Sequence, residues 1–297
     1  MFDFRLQVFH TVATRLSFTK AANELYITQP AVTRHIRELE SHFKSSLFER
    51  SGNSKVILTP AGKMLLKHTE QLLKDYRQLE YDMNLLNEAH TGVLKIGAST
   101  TVAPYIIPRI LAAFHQNYNQ VKVNLLTGNT EQVEQAILNG EIQLGVVEGR
   151  TRSPQIRYQE YMRDELVLVC SATNTVVKGD TIKPADLLKY PLVMREPGSG
   201  TLEVIDHALR AHGIKIGDLN VEMQLGSTES IKLYMLQSDC LAFISIHAIA
   251  KELKNQECRI VDVKGLTVER MLFIIQQQGQ PEPLTELLLK FMVKFKF

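Results

Sequence analysis

The stretch Ser17–Arg50, SFTKAANELYITQPAVTRHIRELESHFKSSLFER, constrains this chain more than any other. It reads as two short helices joined by a tight turn. In the second, Val32, Ile36, Leu39 and Phe43 recur at i, i+4, i+7 and i+11. That single stripe at helical spacing predicts a buried face. Thr33, Arg34 and Arg37 point away from it. Thr28 stands at the N-cap position, with Gln29, Pro30 and Ala31 in the first turn, where the missing proline N–H does no harm. A capped helix with two arginines on its outer face suits the major groove of DNA. An ordinary amphipathic surface helix has the same pattern, so this helix alone leaves both readings open.

The flanking segments extend the pattern. Phe4 to Thr14 is a first helix, with Phe4, Val8 and Val12 at four-residue spacing. Ser17 can cap the next, in which Ala21, Ala22 and Leu25 face inward and the paired alanines allow a close helix crossing. Leu47–Arg50 and Lys55–Leu58 flank Gly52-Asn53, which reads as a hairpin. Three helices and a hairpin make a winged helix-turn-helix, with Arg50 and Lys55 on the wing. Thr59-Pro60 then opens a long helix in which Leu65, Thr69, Leu72, Tyr76, Leu79, Met83 and Leu86 form a heptad seam. Such a seam predicts pairing with a second copy of the chain.

Beyond Gly92 strands alternate with helices. Strands are expected at Val93–Gly97, Val121–Leu126, Leu144–Val147, Leu166–Cys170, Leu192–Met194, Val221–Leu225, Leu241–Ile244, Ile260–Val263 and Met271–Ile275. Helices at Pro104–Tyr118, Thr130–Asn139, Thr201–His212, Ser230–Leu236, Ile246–Lys254 and Pro283–Phe295 complete the alternation. It implies a mostly parallel sheet covered on both faces.

Composition excludes several classes. With 297 residues, 44% hydrophobic and 22% charged, the chain is long and apolar enough for two or three folded domains. The net charge of +2 divides unevenly: residues 1–62 hold eight Lys/Arg against five Asp/Glu (+3), and the remainder 26 against 27 (−1). The basic excess therefore lies with the helix-turn-helix, as a polyanion partner requires. No apolar run approaches the ~20 residues of a membrane span, and the N-terminus lacks a signal-peptide core. Cys170, Cys240 and Cys258 are widely spaced without a CxxC, which suits a reducing cytoplasm. No GxSxG, HExxH, Walker loop or GxGxxG is present, and no His/Cys cluster has metal-ligand spacing. His207 and His212 read as surface residues. No catalytic residue, cofactor or metal is expected.

These residues resemble the LysR-type transcriptional regulators. The match runs through Phe9, Ser17-Phe18-Thr19, Ala21-Ala22, Leu25, Gln29-Pro30-Ala31-Val32, Ile36, Leu39-Glu40, Leu47-Phe48, Arg50 and Leu58-Thr59-Pro60-Ala61-Gly62. Thr28 and Thr33 stand where many members have serine, which keeps the hydroxyl. The wing, Gly52-Asn53-Ser54, is leaner in basic residues than is common, and Ser238-Asp239-Cys240 replaces a glycine-containing turn.

The resemblance implies an α+α/β chain. A winged helix-turn-helix (1–62) is followed by a linker helix that dimerises (63–91) and a two-lobed α/β effector domain similar to periplasmic solute-binding proteins (92–297). Lobe one would be 92–162 plus 268–297 and lobe two 163–267. It also implies a homodimer assembling into a tetramer, a near-palindromic double-stranded operator, a small-molecule effector between the lobes, and RNA polymerase as a further partner.

The residues expected to meet DNA are Ser17, Thr19, Thr28, Gln29, Pro30, Ala31, Thr33, Arg34, Arg37, Arg50 and Lys55. Gln29 and Arg34 suit base edges, an amide pairing with adenine and a guanidinium with guanine. Arg37, Arg50 and Lys55 suit phosphates. For the effector, hydroxyl-rich junctions before helices stand out: Ser99-Thr100-Thr101, Asn129-Thr130, Ser199-Gly200-Thr201 and Thr228. Hydroxyls beside free helix N–H groups bind carboxylate or phosphate. Arg195 either adds charge for an anion or pairs with its neighbour Glu196.

Overall fold

Asp3 accepts the Arg5 N–H at 2.9 Å and so caps the first helix, α1 (Phe4–Arg15). The computed structural model describes residues 3–51, 55–86, 91–279 and 281–297. Its contacts divide the chain into two units, Met1–Ala89 and His90–Phe297.

In the first unit, α1 is followed by α2 (Phe18–Glu24), α3 (Gln29–Phe43), the antiparallel pair β1 (Phe48–Ser51) and β2 (Lys55–Leu58), and α4 (Pro60–Leu86). Val8, Phe9, Val12, Ala21, Ala22, Val32, Ile36, Leu39 and Leu47 make the core of this winged helix-turn-helix. Phe43 departs from the expected stripe. It is 46% exposed and meets the His42 ring edge-on, because α3 ends there and the chain turns away through Lys44 at φ 50°. Glu40 bridges the gap to the hairpin by accepting the Leu47 N–H at 2.8 Å. Thr59 caps α4 by accepting the Gly62 N–H, while its hydroxyl donates to the Ser46 carbonyl. A Cβ at Gly62 would run into the Leu47 carbonyl oxygen.

Along α4, Leu72, Leu79 and Met83 are about half exposed, whereas Thr69 is fully buried. The hairpin turn at 52–54 and the side chains of Arg50, Lys55 and Leu86 lie outside the described residues.

The second unit begins with β3 (Gly92–Ser99), α5 (Val102–Tyr105), α6 (Ile107–Asn117), β4 (Val121–Gly128), α7 (Thr130–Leu138), β5 (Leu144–Glu148) and β6 (Ile156–Ser171). It continues with β7 (Thr181–Ile182), β8 (Leu192–Arg195), α8 (Gly200–Arg210), β9 (Val221–Leu225), α9 (Thr228–Leu236), β10 (Ala242–Ser245) and α10 (Ile246–Lys254). β11 (Cys258–Ile260), β12 (Asp262–Val263), β13 (Val268–Gln277) and α11 (Pro283–Lys294) complete it.

Of the hydrophobic cores in this two-lobed unit, two are the largest. One is built on Leu94, Ile96, Ile110, Phe114, Leu144, Leu272 and Leu288. The other is built on Leu166, Leu168, Leu187, Leu192, Met194, Ile205, Leu209 and Phe243.

The sheet is mixed rather than mostly parallel. Its order is β10-β6-β13-β5-β3-β4, with β11 also on β6. Among the described strands, only β3 with β4 and β5, β8 with β9, and the short β7 with β12 run parallel. The long strands β6 and β13 are antiparallel to each other. A strand that carries the chain across without a covering helix returns antiparallel. β6 starts at Ile156, well ahead of the expected Leu166; its first half is largely polar and so carries no apolar run to mark it. The helix expected over Pro104–Tyr118 is two helices, since Pro108 has no N–H to offer the Pro104 carbonyl. Among the described residues no helix is long and apolar enough to cross a membrane, and no His/Cys/Asp/Glu group could hold a metal ion.

Candidate nucleic-acid interface and effector cleft

Thr28 caps α3, its hydroxyl accepting the Ala31 N–H at 3.4 Å. With Pro30 in the first turn, the helix begins where the sequence predicts. Gln29 and Pro30 are exposed, as are Arg34 and Arg37, and Ala31 and Thr33 are half-buried. Ser17 caps α2 by accepting the Lys20 N–H at 3.2 Å. Ser17 and Thr19 line a shallow groove with Gln29, Thr33 and Arg37, so the two helices present these residues on one surface.

Two of the expected base readers are held by side chains one turn away. Gln29 Nε2 donates to Thr33 Oγ1 at 3.2 Å, leaving one amide N–H and the amide oxygen outward. That remainder is the donor–acceptor pair that adenine requires. Arg34 Nε donates to Glu38 Oε1 at 2.9 Å. Glu38 is not among the residues expected from the sequence; a carboxylate on a basic face is the signal that marks it.

In the second unit all four hydroxyl-rich junctions converge on the seam between the lobes. Thr101 and Thr228 share a hydrogen bond of 2.7 Å between their Oγ1 atoms. One turn further along each segment, Lys232 donates to the Tyr105 hydroxyl at 3.0 Å. Thr130 Oγ1 donates to the Glu148 carbonyl at 2.7 Å and accepts the Gly200 N–H at 3.2 Å. Gly200 is required there, since a Cβ would collide with that same carbonyl oxygen. Asn129 Nδ2 donates to Glu196 Oε1 at 3.2 Å. A cavity of about 10 Å³, bounded by Thr101, Arg195, Thr201, Thr228 and Ser245 among others, remains between them.

The helix starts are less open than the sequence suggests. Ser99 accepts the Val102 N–H, Asn129 and Gln132 form a reciprocal capping box, and Ser227 accepts the Ser230 N–H. Ser199, at the start of α8, makes no capping bond, and its buried Oγ has no partner. Buried Thr100 Oγ1 also lacks one.

Arg195 pairs with Glu196 and keeps one N–H over. Its Nε and Nη2 donate to Glu196 at 2.8 and 2.9 Å, while its buried Nη1 has no acceptor. Burial alone pushes the Glu196 carboxyl up, but the Arg195 hydrogen bond and charge outweigh it and leave its pKa lowered.

Below these contacts lies an ionic network that sequence reading missed. Arg270 on β13 donates through Nε to Asp164 Oδ2 and through Nη1 to Thr201 Oγ1, both at 2.7 Å. Its Nη1 lies 3.2 Å from Glu148 Oε1. Thr201 donates to that Glu148 oxygen at 2.8 Å, and Ser245 donates to Asp164 Oδ1 at 2.8 Å. All five residues are buried. Charged residues set within the apolar runs LGVVE, MRDELVLV and VERMLFII were the available signal. The three cysteines are buried free thiols. Burial, as the largest cause, raises the Cys240 and Cys258 pKa values to about 11.

The description "Bacterial regulatory helix-turn-helix protein, lysR family" matches residues 4–63, and "LysR substrate binding domain" matches 87–295. A probable RuBisCO transcriptional regulator of Cyanophora paradoxa is 34% identical over 91% of this chain and 84% of its own length. The structure of the Synechocystis PCC6803 CcmR regulatory domain in complex with 2-PG is 26% identical, with a TM-score of 0.62. That likeness covers 68% of this chain and 96% of that one. A full-length OxyR variant from Pseudomonas aeruginosa shares the fold at 17% identity and TM-score 0.69, over 98% of this chain and 94% of its own. With residues 4–63 and 87–295 matched in these terms, the chain belongs to the LysR family of transcriptional regulators, which join a DNA-binding helix-turn-helix to an effector-binding domain and catalyse no reaction.

Proposed function

We propose that this regulator binds a near-palindromic operator and that a small anionic co-inducer, seated between the two lobes, adjusts how it binds or bends that DNA. Arg195 carries the ligand half of the reading. A buried guanidinium N–H without an acceptor is costly, and this one borders a cavity rimmed by the hydroxyls of Thr101, Thr201 and Thr228. A carboxylate or phosphate oxygen would satisfy it. Ser99, Thr100, Asn129, Thr130, Ser199 and Gly200 complete the proposed effector site. The 2-PG held by the CcmR regulatory domain makes that compound the first probe.

On the DNA side, Gln29 and Arg34 read bases, while Arg37 and, on the wing, Arg50 and Lys55 meet phosphates. Ser17, Thr19, Thr28, Pro30, Ala31 and Thr33 shape the approach. Residues 1–62, 63–91 and 92–297 act as DNA-binding head, dimerising linker and effector domain. Lobe one is 92–162 with 268–297, and lobe two is 163–267. The half-exposed Leu72, Leu79 and Met83 of α4 support pairing of two copies, and two such dimers make the tetramer. The protein works in the cytoplasm.

Footprinting on the DNA flanking its own gene, with and without 2-PG, tests this. Protection at two spaced half-sites that changes with ligand supports it; no protection anywhere sinks it. An Arg195→Gln chain that still shows a full ligand-induced thermal shift removes Arg195 from the site.

A further inference from the structure

Glu38 is an acid on a helix face whose neighbours are Arg5, Gln29, Thr33, Arg34, Arg37 and His42. Facing a polyanion, a carboxylate there weakens binding. Helix stability does not account for it either. Arg34 precedes Glu38 by four residues, the weaker of the two orientations for such a pair, and exposed pairs of this kind contribute little.

The geometry suggests another use. Arg34 is 79% exposed, and one edge of its guanidinium is taken by Glu38 through Nε at 2.9 Å. The terminal amino groups remain as an end-on fork, the arrangement that fits guanine O6 and N7. On its other side Glu38 Oε2 lies 3.6 Å from His35 Nδ1, beyond hydrogen-bond distance, and the His35 ring is edge-on to Phe4 at 5.5 Å. The Arg34 hydrogen bond, as the first cause, also lowers the Glu38 pKa, so the carboxylate is charged at neutral pH. A charged carboxylate repels phosphate oxygens and is indifferent to a neutral base edge.

We infer that Glu38 is a positioning and specificity-determining residue. It holds the Arg34 fork toward the base edges and denies that arginine the alternative of a phosphate. The inference rests on the reading, proposed above, that Arg34 contacts a base. Glu38 gives up some total affinity in exchange for discrimination, acting only through Arg34.

The test uses the full chain and a pool of randomised DNA duplexes, selected in parallel with the parent, Arg34→Ala, Glu38→Gln, Glu38→Ala and the double alanine variant. Alanine is the best helix former, so α3 persists in each alanine variant. Arg34→Ala should lose its preference at one base pair of each half-site by about tenfold or more. Glu38→Ala should lose preference at the same base pair, and the double variant should lose no more than Arg34→Ala alone. In titrations across salt on a scrambled duplex, Glu38→Ala and Glu38→Gln should bind more tightly than the parent. Their log–log salt slope should steepen by about one as Arg34 moves to a phosphate. A merely structural role would move neither the slope nor that one base pair selectively. Full base preference in Glu38→Ala, or additive losses in the double variant, overturns the inference alone. Arg34→Ala leaving every position unchanged overturns the underlying reading and the inference with it.

Discussion

Two polar surfaces of this protein are built on opposite plans. On α3, Gln29 is held by Thr33 and Arg34 by Glu38, each partner four residues away on the same helix. At the lobe seam, Thr201 reaches Glu148 across 53 residues, Arg270 reaches Asp164 across 106, and Thr101 reaches Thr228 across 127. The first plan leaves its groups in water, where altering one costs the fold little. The second removes its groups from water, so each is committed to its neighbours. The polar groups of α3 are therefore separable from the stability of the head, whereas those of the seam are bound up with the stability of the effector domain.

The sharpest way to break this comparison is Arg270→Met. It leaves Asp164 and Glu148 buried without their cation and should cost about 3–5 kcal/mol of effector-domain stability, read as a fall in the urea midpoint. An unchanged midpoint would mean that water reaches the network and that the seam resembles the α3 surface after all. Next is Leu72→Ala on α4, a side chain about half exposed in the single chain. If it is buried against a second copy, its truncation should weaken dimerisation by about 2 kcal/mol, measured by sedimentation equilibrium, with the monomer's helix content unchanged. Thr28→Ala then removes the cap of α3 and should cost about 1 kcal/mol, visible in thermal unfolding of the head while the effector domain melts as before.

The smallest effect concerns the thiols. Cys240 and Cys258 titrate near 11 rather than the ordinary 9.0. A raised thiol pKa contributes stability that is whole below pH 9 and is lost as pH climbs from there toward 11. Ellman's reagent should accordingly find almost no reactive thiol in the native chain at pH 7 and three after unfolding. A rapid native reaction would show that at least one thiol is accessible in the folded chain.

The same contrast explains what could be read in advance. The helix-turn-helix was legible because its determinants are local: Ser17, Thr28 and Thr59 stand at three helix starts, and Val32, Ile36 and Leu39 repeat at helical spacing. Phe43 misled because periodicity does not record where the helix stops. In the effector domain the junctions at Ser99–Thr101, Asn129–Thr130, Ser199–Thr201 and Thr228 were visible as hydroxyl clusters. Nothing local told that they would satisfy one another. The partnership of Asp164 with Arg270 depends on the antiparallel register of β6 and β13, and the polar first half of β6 concealed that strand.

The hydrogen bond between Thr101 and Thr228 has a consequence for the signal itself. Any effector that uses these hydroxyls must first displace the contact they make with each other, so it competes with the protein. Its apparent dissociation constant is the intrinsic one divided by the fraction of molecules in which the seam is parted. Each tenfold preference for the joined seam thus raises the effector concentration needed by tenfold. For an effector seated at the proposed site, the Thr101–Thr228 contact would therefore raise the concentration needed for a response.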